Sequence, residues 1–136
     1  MDHPRDHPGR AFIDPKLLAK IEKSEKDGGM FTKDIPEDTL VFVHTNNSVY
    51  TLAVIDVESG KIAIQGSGTH FHNPEVVVLH GSTFGGSMIK PDWIGKGMHL
   101  EIGLPDRRTL TTSAIRAVSI EHNPERTKEL IAAATK

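Results

Sequence analysis

The sequence predicts an all-β protein: a small antiparallel β-barrel or β-sandwich of six to seven short strands, with short α-helices at its N- and C-terminal ends. Two observations lead there. Apolar residues alternate at period two in several stretches between residues 39 and 121, the spacing that places every second side chain on one face of a strand. Clusters of Asn, Ser, Gly, Pro and Asp separate those stretches, as turns do. Closing such a sheet, or stacking two, protects the edges that an open sheet exposes; the pattern fits barrel and sandwich equally.

Each element has its own justification. Residues 1–11 contain Asp-His-Pro twice, with Pro4 and Pro8 blocking helix and nothing to bury, which predicts a disordered tail ahead of one β-domain over 12–136. Asp14-Pro15 reads as a cap and first helical residue, opening a helix over 15–27 with the apolar stripe Leu17, Leu18 and Ile21 and a stop at Gly28-Gly29. A β core over 39–121 follows. Leu40, Phe42 and His44 share one face, and Val41 and Val43 the other. Thr45-Asn46-Asn47-Ser48 is a turn into Val49–Asp56, where Tyr50, Leu52 and Val54 alternate.

Glu58-Ser59-Gly60-Lys61 connects as a hairpin to a strand with Ile62 and Ile64 on one face. The unbroken apolar run Val76–Leu79 predicts a strand buried on both sides. Met98, Leu100 and Ile102 alternate with His99 and Glu101, and residues 104–108 turn the chain into one or two last strands over 109–121. Alternation fails at Thr112-Ser113-Ala114, which predicts a bulge. Asn123-Pro124-Glu125 starts a C-terminal helix over 124–134, with Leu130, Ile131 and Ala134 as its apolar patch.

Composition narrows the function classes. Net charge over the 136 residues is −2 and cysteine is absent, so no basic surplus marks a nucleic-acid binder and no disulfide or thiolate chemistry is available. No apolar run nears the roughly 20 residues of a membrane span, and residues 1–10 lack the apolar region of a secretory signal. The expectation is a cytoplasmic protein with neither nucleic acid nor membrane as partner.

The stretch 81–97 separates two clear strands and holds five glycines, the only tryptophan and two lysines. Loops of that length usually serve a purpose. Its glycines are spaced almost as in a phosphate-cradling loop, but Ser87 and Met88 stand where that motif needs lysine and then Ser or Thr, and no helix follows, which argues against nucleoside triphosphate binding. Ser82, Thr83, Ser87, Lys90, Trp93 and, from the last strand, Arg116 are instead the candidate ligand-binding residues, suited to a small anion or a polar ligand. The competing structural role gives the glycines positive φ for a tight crossing, with Phe84 and Trp93 tucked onto the core.

A second constellation is His70-x-His72-x-x-Glu75 with a later His99. In an extended chain His70 and His72 point the same way, and three imidazoles with a carboxylate suit a divalent transition metal. This run resembles the first metal motif of the cupin family, which implies a barrel with an interior metal held by His70, His72, Glu75 and His99. The gap before Glu75 is one residue short of the family pattern, and Pro91-Asp92-Trp93 departs from its second motif. Separately, Thr45–Leu52, Gly81–Met98 and Thr112–Arg116 together resemble a family of small bacterial β-domains of unknown function, which implies a β-domain and no particular activity.

Two functions follow. The first is a non-catalytic β-domain without a cofactor that binds a protein partner or small ligand through the 81–97 loop and forms a homo-oligomer. The second is a cupin-like metal-dependent enzyme.

Overall fold

The computed structural model describes residues 28–84 and 89–136; the expected tail over 1–11 and helix over 15–27 lie outside them. Nine strands and one α-helix are found among the described residues. They are β1 (Gly29–Phe31), β2 (Thr39–Thr45), β3 (Val49–Asp56), β4 (Lys61–Gly66), β5 (Glu75–Thr83), β6 (Ile89–Pro91), β7 (Trp93–Gly95), β8 (His99–Gly103), β9 (Thr109–His122) and the helix α1 (Pro124–Ala134). The all-β prediction is correct, and the choice between barrel and sandwich is settled. Strands β2, β3, β4, β5, β8 and β9 follow one another as antiparallel neighbours, and β9 returns to pair with β2, which closes a barrel.

Two long strands make closure possible. The first half of β5 pairs with β4 (Ile64↔Glu75), and its second half with β8 (Thr83↔His99). Strand β9 pairs first with β8 (Gly103↔Thr109) and then with β2 (Thr39↔His122). The ladder between β8 and β9 slips where His99 faces Ala114 and Glu101 faces Thr111, which is the bulge that the broken alternation at residues 112–114 predicts. A second slip opposite His44 and Thr45 bends the same strand again, so one strand replaces the one or two expected.

The barrel is filled. Val41, Val43, Leu52, Ile62, Ile64, Val77, Leu79, Leu100, Ile102 and Ile115 form one buried cluster, leaving no lumen for a ligand, as expected for fewer than eight strands. Phe71 closes one end, packed edge-on against Tyr50 at 6.3 Å between ring centroids. Leu40, Ala53 and Ala63 point outward instead, where Leu130, Ile131 and Ala134 of α1 cover them. The helix begins where predicted, with Asn123 Oδ1 accepting the Arg126 N–H at 3.0 Å. In the run Val76–Leu79, Val77 and Leu79 are buried, whereas Val76 and Val78 are only half-buried, so the expected burial on both sides holds for the inner face alone.

Candidate functional site: a lysine-flanked aromatic groove

The loop over 81–97 is built of β structure. Strand β6 folds back on β5 (Ser82↔Lys90), and Gly81 permits this because its φ is 143° and a Cβ there would collide with the Lys90 carbonyl. The chain then crosses to β7, which pairs with β1 (Gly29↔Gly95, Phe31↔Trp93). Trp93 lies across the Gly29–Gly95 pair, and a Cβ on either glycine would strike the indole. Its ring meets Phe31 edge-on at 4.8 Å between centroids. Above the indole sits the Lys90 ammonium, 3.9 Å from the ring centroid and 5.3 Å from that of Phe31, a cation–π arrangement worth about 0.5–1 kcal/mol at an exposed site.

Beside this stack lies an open groove of about 680 Å³ lined by Phe84, Ile89, Lys90, Trp93, Lys96 and Met98, with Gly28 and Pro91 completing it. Phe84 is 77% exposed, so its ring does not tuck onto the core. Among the described residues both ionisable groups on the lining are lysines. Neither forms an ion pair among the described residues.

The six ligand-binding candidates separate. Lys90 and Trp93 meet in the groove. Ser82 is a correction: it is fully buried, its hydroxyl donates to the Trp93 carbonyl at 2.5 Å and accepts the Gly95 N–H at 3.3 Å. It fastens β7 to the barrel and is unavailable to a ligand. Thr83, 2% exposed within β5, is likewise withdrawn from solvent. Arg116 donates to Asn46 Oδ1 at 2.8 Å and does not line the groove. Ser87 lies outside the described residues.

Phe84, Ile89, Lys96 and Met98 are groove residues that sequence reasoning missed. Their available signal was the isolated Phe84 between hydroxyl residues and Gly85-Gly86, a large apolar side chain where a turn needs none.

The histidine constellation does not assemble. Phe71 adopts φ 58°, which breaks the extended geometry needed to align His70 with His72. His99 faces Thr83 at one end of β5 while Glu75 starts the other, a separation of roughly 25 Å at ~3.3 Å per residue. His99 Nδ1 lies 2.8 Å from the Thr112 carbonyl oxygen. Among the described residues no group of three or more His, Asp or Glu side chains is placed to hold a metal.

His70 and Glu75 instead line a smaller depression of about 420 Å³ at the Phe71 end, with Thr69, Asp106 and Arg108. Its charged pair is internally satisfied: Arg108 Nε donates to Asp106 Oδ2 at 2.6 Å. The Arg108 backbone N–H first, and its guanidinium next, hold the Asp106 carboxyl below the ordinary aspartate range.

Comparison with protein-family models, curated proteins and solved structures finds no match. Neither the cupin likeness nor the likeness to small bacterial β-domains gains support from it.

Proposed function

We propose that this protein is a non-catalytic binding module, a packed β-barrel that carries a recognition groove on its β5–β8 excursion. The observation that supports it most is the groove itself: an exposed Phe84, a half-buried Trp93 and two lysines around about 680 Å³ of open space. That volume lies within the roughly 300–1,000 Å³ of small-molecule sites, which join an apolar lining to a few placed polar groups. The barrel interior offers no competing space, since its side chains are buried against one another. A membrane span is not part of the reading: among the described residues no helix is long and apolar enough to cross a bilayer. Cytoplasmic location belongs to the same proposal, as does self-association, which sedimentation tests directly.

The test is a fragment and metabolite screen by NMR, following the indole N–H of Trp93 and the methyls of Ile89 and Met98. Hits are expected to move those signals together and to lose them in Phe84→Ser, whose ring is solvent-facing and contributes little to folding. Hits confined to the Thr69–Glu75 end, or no hits at all, would overturn the proposal.

A further inference from the structure

Resting on that reading of the groove, we infer that its ligand is a small amphiphilic carboxylate, a free molecule with an apolar body and one anionic head. The body is set by Phe84, Ile89 and Trp93, whose exposed surfaces gain by leaving water together beside the buried Met98. The head is set by charge. Lys90 and Lys96 are the ionisable groups of the lining among the described residues, both exposed, and no acidic side chain among those residues lines the groove to neutralise them. Lys33 adds to the same field, its ammonium 5.5 Å from the Phe31 ring that Lys90 also overlooks. Lys90 is held over the indole, so its charge is positioned in advance and less side-chain freedom is lost when an anion arrives.

Two alternatives fit less well. A peptide adding itself as a strand to β6 would meet Pro91, which has no N–H to donate, and Lys90, both of which blunt a sheet edge. A bilayer surface would suit a protruding apolar tip, whereas these side chains surround a concavity.

The experiment titrates the full chain with decanoate, decanol and decyltrimethylammonium below their aggregation limits, and with phosphatidylglycerol vesicles. Emission of the only tryptophan and the Met98 methyl signal report binding. Decanoate is expected to bind saturably, about tenfold more tightly than decanol, the increment of one charge-assisted hydrogen bond, and the ammonium to bind weakest. Lys96→Gln, which leaves the indole's cation in place, should erase the preference for decanoate over decanol. Lys90→Gln should do the same when read by Met98, and Lys61→Gln on β4 should leave it intact.

Equal affinity for decanoate and decanol overturns the anionic head and leaves the groove reading standing. Binding to vesicles but not to decanoate overturns the free ligand in favour of a membrane surface. If all three amphiphiles fail while screening fragments still move Trp93, the inference falls alone; if the fragments fail as well, the groove reading falls with it.

Discussion

The flank of the barrel beneath α1 and the flank left bare are built from strands with equivalent inner faces, and they differ only outside. Val41, Leu52 and Ile64 point inward on the covered side, as Leu100 and Ile102 do on the bare side, each at most 1% exposed. Outward, the covered side carries Leu40, Ala53 and Ala63 under Leu130 of the helix. The bare side carries Glu101 and His80, 3.7 Å apart between Oε2 and Nδ1. In sequence the first reads as continuous apolar runs, 40–43, 52–55 and 62–64, and the second as strict alternation over 98–102. The difference teaches that in β2, β3 and β4 apolar residues on both faces mark where the second layer lands, whereas alternation in β8 marks where water does.

That contrast breaks most strongly at Ala63. Ala63→Asp buries a carboxylate among the apolar side chains between β4 and α1, and should cost about 3–5 kcal/mol in urea unfolding. Next comes Leu130→Ala, which empties the same interface from the helix side and should cost about 2–3 kcal/mol. Amide exchange should then accelerate in β2, β3 and β4 while β8 keeps its protection. Asn123→Ala removes the cap of α1 and should cost about 1 kcal/mol, with the loss confined to the helix.

On the bare flank Glu101→Gln loses one partly exposed pair and should stay within about 0.5 kcal/mol. A result above 2 kcal/mol there would refute the division into structural and solvent-facing flanks. The smallest effect expected is at Asp106, on the turn between β8 and β9. Because its folded pKa is lowered, the stabilisation it gives is complete above the ordinary value of 3.8 and is lost as pH falls through the lower folded value. Carboxyl NMR should show that titration, and Arg108→Gln should move its midpoint upward.

The glycine-rich stretch shows where local reading stops. Alternation carried along β5 from Leu79 places Gly81 and Thr83 on the inner face and Ser82 outside, available to a ligand. In the structure Leu79 faces Ile102 but Ser82 faces Leu100, so one extra residue has entered β5 and the phase is inverted. Cross-strand partners share a face, and Leu100 is buried; Ser82 therefore turns inward and fastens β7. A bulge of one residue decided the fate of a candidate site residue. Phe71 is the parallel case, since a large side chain at φ 58° has no sequence signature and undoes the alignment of His70 with His72.

By contrast, β3 over Val49–Asp56, the slip near residues 112–114, and the cap and apolar patch of α1 were all legible. Each depends on residues a few positions apart.

The sequence by itself determined the six barrel strands, the inner face of each away from the β5 bulge, the turns between them and the C-terminal helix, because period, capping and turn chemistry are local; β1, β6 and β7 were not legible in it. Only the tertiary structure decided that β9 meets β2, that β1 meets β7, and that Gly28 joins Phe84 and Met98 around one groove. Those contacts link segments far apart in the chain, where the free energy of burial acts on assembled surfaces and no local pattern records which surfaces will meet.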